Sequence, residues 1–172
     1  GAFGRPDVGD ADGDGDPDII LAFGATSGSK ANVILINQGL FSGNLVNETA
    51  TRFPAAFNNS SSTYMKFINY DNDADLDIFI ANAFGEAEQM WRNDGTGHFT
   101  DVSAAVVPLP DSGSDEFSAC PCDHDGDGDA DIFIATFNGP CRLLQNRLIE
   151  TGVATYIDAT VGNVPAIPFE SQ

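Results

Sequence analysis

Positive charge is scarce in this chain. Seven Lys and Arg stand against 26 Asp and Glu, for a formal net charge of −19. Phosphate recognition needs basic side chains, so nucleic acid and anionic membrane surfaces are excluded as partners. No apolar run approaches the roughly 18 residues of a membrane-spanning helix, so no membrane insertion is expected. Histidine is limited to His98 and His124. No Ser/His/Asp or Cys/His arrangement stands out, and an enzyme is not expected. Helical periodicity is missing over any long stretch. The chain starts at Gly1 without a visible signal peptide, as a processed product or the ordered part of something longer would.

Cysteine is nearly as rare. Cys120, Cys122 and Cys141 cannot all pair within one chain. Cys120 or Cys122 with Cys141 is a candidate disulfide if the two lie on neighbouring strands, and three buried thiols are the alternative. Three thiols are too few for a structural zinc site. Sequons at Asn47, Asn58 and Asn59 permit glycosylation.

What is plentiful is Gly, Asn and Asp between short apolar runs, the pattern of an all-β protein. Hydrophobic residues make up 42% of the chain, enough for a core. The acidic residues cluster in three copies of one segment: "DADGDGDPDIILAF" from Asp10, "NYDNDADLDIFIAN" from Asn69 and "DHDGDGDADIFIAT" from Asp123. Other landmarks keep step. An Asn ends a short apolar run in each copy, at Asn37, Asn93 and Asn146. A strand-like segment follows, "LVNET", "FTDVS" or "YIDAT", and then Pro54, Pro108 or Pro165. The repeats are assigned to residues 1–54, 55–108 and 109–172, the last including the start of a following unit. Each repeat reads as four strands. The apolar strands are continuous, as expected of strands covered on both faces. The fold class follows: three four-stranded blade-like repeats of β-propeller type, forming a partial propeller or one completed by assembly.

The acidic segments carry metal-ligand spacing. Side-chain oxygens recur at positions 1, 3, 5 and 9: Asp10, Asp12, Asp14 and Asp18; Asn69, Asp71, Asp73 and Asp77; Asp123, Asp125, Asp127 and Asp131. Position 7 is Asp16, Asp75 or Asp129, each offering its carbonyl, and position 6 is Gly15, Ala74 or Gly128. Alternate side chains of a tight turn converge on one point, and a hard cation takes six to eight oxygens there. An EF-hand would need an acid at position 12, where this chain has Leu21, Ile80 and Ile134. The loop must instead close on the position-9 Asp and enter a strand. Calcium is the expected ion, about one per repeat. Loop two departs from the pattern, with Asn69 for an acid and Ala74 for the turn glycine. His124 is expected to face solvent without binding the ion. Trp91, in "QMWRN", is expected in the core.

At these residues the chain resembles the FG-GAP/VCBS repeat family, whose hallmark is D-x-D-x-D-G-D-x-D, an apolar strand, then N-x-G-x-G-x-F-x-D-V. Residues 69–82 and "NDGTGHFTDVS" at 93–103 match well. The outer repeats match in the acidic loop and drift in the second element. The resemblance implies propeller blades with a calcium ion near one edge, in secreted or cell-surface proteins, as in integrin α-subunits and some lectins. It does not fix one function. A structural or adhesive module is the expected role; the alternatives are a self-assembling fibre subunit, read from the repeat count, and a lectin-like carbohydrate binder. The partners would be further repeats or copies of the chain, glycans or surface proteins. Three repeats fall short of the usual 4–8 blades, so further repeats or copies are expected to complete the array.

Overall fold

A computed structural model describes residues 4–23, 31–39, 43–54, 60–107, 116–137 and 139–165. It contains three four-stranded antiparallel meanders. The first is β1 (Gly4–Gly9), β2 (Asp18–Phe23), β3 (Val33–Asn37) and β4 (Leu45–Asn47). The one-turn helix α1 (Thr49–Arg52) leads into the second sheet: β5 (Ser62–Ile68), β6 (Asp77–Asn82), β7 (Gln89–Asn93) and β8 (Phe99–Asp101). Helix α2 (Ser103–Val106) precedes β9 (Glu116–Cys122), β10 (Asp131–Thr136), β11 (Arg142–Asn146) and β12 (Tyr156–Asp158). The third sheet carries α3 (Leu148–Thr151) between its last two strands and α4 (Thr160–Asn163) after them.

The registers are equivalent. Gly9 faces Asp18, Ile68 faces Asp77, and Cys122 faces Asp131. Each acidic loop is therefore the hairpin between the first and second strands, and its last Asp opens the second strand. A second shared device ends each sheet. Asn47, Asp101 and Asp158 accept the backbone N–H of Thr49, Ser103 and Thr160 at 3.1, 2.9 and 2.9 Å. Those hydroxyls accept N–H from Ile34, Met90 and Leu143, each at 3.0 Å. The Asn47 sequon is thus the first repeat's form of a turn shared by all three. Asn58 and Asn59 lie outside the described residues, as does Pro108.

Burial explains how the sheets stack. One core cluster joins Ile20, Ala22, Ile34 and Ile36 of the first sheet to Met65, Phe67, Ile78, Ile80 and Trp91 of the second. Trp91 is fully buried, with Phe53 edge-on at 5.0 Å. A second cluster joins Ile68, Phe79, Ala81 and Met90 to Ala119, Ile132, Ile134 and Leu144 of the third sheet. Odd and even positions of β6 thus face different neighbours, and all six of its residues are buried. In β2 buried and half-buried residues alternate instead. Continuous apolar sequence predicts two covered faces in every repeat, but only the middle sheet has two neighbours among the described residues. The approach between sheets is close. A Cβ added at Gly9 would come within 2.8 Å of Leu76 Cδ1 and Phe67 Cδ2. Arg5 at the start of β1 stacks 3.9 Å over the Phe117 ring in β9.

The candidate disulfide is not formed, and the alternative of three buried thiols does not hold either: all three are free, with Cys120 exposed and Cys122 and Cys141 half-buried. The strand order is the reason. Cys120 and Cys122 lie on β9, Cys141 precedes β11, and β10 runs between them. Strands two apart are separated by about 9–10 Å, beyond disulfide reach.

Candidate metal sites in the hairpin loops

The position-9 aspartates are the buried floor of each loop. Asp18, Asp77 and Asp131 are fully buried. One carboxylate oxygen accepts the N–H of the position-2 residue, at 2.8 Å from Ala11, 3.4 Å from Tyr70 and 2.9 Å from His124. The other accepts the N–H of the Asn that ends the third strand: Asn37 at 2.8 Å, Asn93 at 2.9 Å and Asn146 at 2.8 Å. These bonds lock the loop to the sheet.

The turn itself needs left-handed backbone at position 4, where Gly13, Asn72 and Gly126 have φ of 76°, 58° and 81°. Gly15 and Gly128 repeat this at position 6 with φ of 93° and 98°, but Ala74 does not. A Cβ penalises that conformation, so loop two turns differently. Asn69 Nδ2 accordingly donates to the Asp73 carbonyl at 2.6 Å. In loops one and three the first carboxylate instead accepts N–H from Gly13 at 2.9 Å and Gly126 at 2.7 Å.

Ligand atoms converge in each loop. Asp10, Asp12 and Asp18 offer oxygens within 4.8 Å of one another, as do Asp71, Asp73 and Asp77, and Asp123, Asp125 and Asp127. Two oxygens on one calcium at about 2.4 Å lie no more than about 4.8 Å apart, so each trio can share an ion. The position-7 side chains are not solvated bystanders. Asp16 and Asp129 are buried, at 7% and 2% exposure. Every loop also holds buried oxygens that no hydrogen bond satisfies: Asp12 Oδ1 and Asp16 Oδ2, Asn69 Oδ1 and Asp75 Oδ1, Asp127 Oδ2 and Asp129 Oδ1. Buried oxygens without a donor are costly, and a cation relieves that cost. The donor set is oxygen-rich, which suits a hard ion. The residues therefore fit calcium.

Electrostatics point the same way. Burial, only partly offset by the Asn93 N–H, pushes Asp77 up to about 7, with Asp71 and Asp73 adding to the rise. Burial and then Asp73 raise Asp75 to about 6. Burial also raises Asp16, Asp18, Asp71 and Asp129, with neighbouring loop carboxylates adding to each. Without a cation these loops hold carboxyls that resist ionisation.

Four further side chains bear on the loops. Arg52 donates to Asp12 Oδ2 at 3.1 Å, to Glu48 at 2.7 Å and to the Thr96 carbonyl at 2.7 Å, tying loop one to the second sheet. Glu150 of α3 brings an oxygen within 4.8 Å of Asp127 and Asp129. Gln145 donates to Asp125 at 2.6 Å. His124 is exposed, as expected, and its Nδ1 also lies 2.6 Å from Asp131 Oδ2. That hydrogen bond raises the imidazole pKa. Glu150 sits in a helix where the second repeat has a Gly-rich turn, so no repeat alignment exposes it.

The FG-GAP-like repeat model matches residues 10–80 and again 69–134, together more than half of the chain. This chain belongs to the FG-GAP-like repeat family. Both matches begin at the first residue of an acidic loop, Asp10 or Asn69, and run into the second strand of the next sheet. Each FG-GAP match therefore takes in two whole loops and the junction between their sheets. No curated protein matches the chain.

Proposed function

We propose that this protein is a non-enzymatic, extracellular calcium-binding β-repeat module with a structural or adhesive role. One ion per repeat, about three in all, rigidifies the hairpin loops. The observation that carries this reading is the set of buried, unsatisfied oxygens above each position-9 Asp. Asp10, Asp12, Asp14 and Asp18 would hold the ion in loop one; Asn69, Asp71, Asp73 and Asp77 in loop two; Asp123, Asp125, Asp127 and Asp131 in loop three. The position-7 residues Asp16, Asp75 and Asp129 complete the sets. Calcium supplies the positive charge that these carboxylates lack in one another's company. The position-9 Asp keeps its backbone bonds and transmits the loop's order to the second and third strands. No helix is long and apolar enough to cross a membrane among the described residues.

A lectin-like role has less support, because Trp91 is buried and cannot serve as a sugar platform. Circular dichroism melts test the main reading. Calcium at 100 times its Kd adds about 2.7 kcal/mol per site. For a chain of this size one site is worth roughly 5–11 °C. Identical midpoints with calcium and with chelator would refute the proposal.

A further inference from the structure

Among the described residues, the first and third sheets each present an outer face that is half of a junction the molecule already builds twice. On the outer face of the third sheet, Cys122, His124, Phe133, Leu143, Val164 and Pro165 line a cavity of about 520 Å³. By register these are the positions of Gly9, Ala11, Ile20, Ile34, Phe53 and Pro54 in the first repeat. There Ala11, Ile20, Ile34 and Phe53 are buried against the second sheet. The cavity is therefore the place where a following sheet would pack.

The opposite half is on the first sheet. Val8, Leu35 and Leu45 occupy the positions of Phe67, Trp91 and Phe99, which fill the first junction. Phe67, Trp91 and Phe99 are 7%, 0% and 6% exposed, whereas Val8 and Leu45 are 59% and 41% exposed. Pro17, at the position of Leu76, is exposed as well. A polar strap accompanies both internal junctions. Asn93 Nδ2 donates to the Ala11 carbonyl at 2.7 Å, and Asn146 Nδ2 donates to the Tyr70 carbonyl at 2.7 Å. Each strap joins the third-strand Asn of one repeat to position 2 of the acidic loop before it. At the ends of the stack the corresponding groups are Asn37 and the His124 carbonyl.

We propose that a second copy of this chain docks head to tail, its first sheet seated on the third sheet of the copy before it. Val8, Leu35 and Leu45 of the incoming copy fill the cavity, and its Asn37 donates to the His124 carbonyl. The contact is heterologous, because the two faces differ, so it can extend or close on itself. It rests on the sheet-to-sheet geometry and not on the ion. The copies repel at long range through their net charge, so the contact is read near 0.15 M salt, where the Debye length is about 8 Å.

The test is light-scattering mass of the chain at tens of micromolar in calcium. The expected mass is at least twice the 18.1 kDa monomer. Val8→Glu spoils only the leading face and Phe133→Glu only the trailing face. Each variant alone, with a folded circular dichroism spectrum, is expected at monomer mass. An equimolar mixture is expected to recover a dimer, since one intact face of each kind remains. Leu45→Glu serves as a second leading-face variant should Val8→Glu misfold, and Leu143→Gln as a second trailing-face variant should Phe133→Glu misfold. A monomeric wild-type chain, variants that assemble like wild type, or a mixture that stays monomeric would each overturn the proposal.

Discussion

Removing the metal should invert the usual effect of acid on this protein. Asp77 is fully buried, and burial pushes its pKa up to about 7 from the ordinary carboxylate value of 3.8. A carboxyl whose folded pKa lies above its unfolded value favours the folded state while protonated. Its contribution is complete below about pH 4 and is lost as pH rises through about 7. A rise of about three pH units corresponds to about 4 kcal/mol at most. Asp75, raised to about 6, acts in the same direction, as do the raised Asp16, Asp18, Asp71 and Asp129. His124, raised by its bond to Asp131, also favours the folded state at lower pH. The metal-free protein should therefore gain stability from pH 7.5 to pH 5. If half of the Asp77 ceiling is realised, the gain is about 2 kcal/mol, or roughly 4–8 °C. Calcium needs ionised ligands, so the calcium-loaded protein should lose stability over the same range. The assay is urea denaturation in metal-stripped buffer and in millimolar calcium at both pH values. Asp77→Asn, which cannot titrate, should flatten the metal-free slope. Metal-free protein that is no more stable at pH 5 than at pH 7.5 would refute the reasoning.

The inter-sheet strap gives a second expectation. Asn93→Ala leaves the Ala11 and Leu76 carbonyls and the Gly95 and Gly97 N–H groups without their partner. It should cost at least about 2 kcal/mol in urea denaturation, and a loss well below that would count against the strap. Ala74→Gly should let loop two adopt the left-handed turn of Gly15 and Gly128. The second calcium site should then tighten by about 1 kcal/mol, roughly fivefold, in a calorimetric titration. Unchanged or weaker binding would show that position 6 does not limit the site. Thiol titration of the denatured, unreduced chain should count all three cysteines, whereas a single reactive thiol would mean that a disulfide forms after all.

Most of the repeat plan is legible in the sequence because its landmarks do structural work at fixed positions. The position-9 Asp opens the second strand, and the Asn at 37, 93 or 146 ends the third. The two are read together because the backbone N–H of one bonds the carboxylate of the other. The apolar runs mark strands but do not say how many faces are covered. That depends on neighbours, and β2 and β6 differ for this reason alone. The cysteine pairing misleads because sequence spacing does not give strand order, and β10 intervenes. Glu150, Arg52 and Gln145 escape notice since each acts on a loop from another element and in one repeat only. The His124 contact with Asp131 depends on a rotamer that no motif encodes.

The most direct measurement is a calorimetric calcium titration of the metal-stripped chain, repeated with Asp127→Asn. The account predicts about three ions per chain for the wild type and one fewer for the variant. It also predicts proton release on binding at pH 7, as the raised carboxyls ionise. A chain that binds no calcium, or whose stoichiometry ignores Asp127, would contradict it.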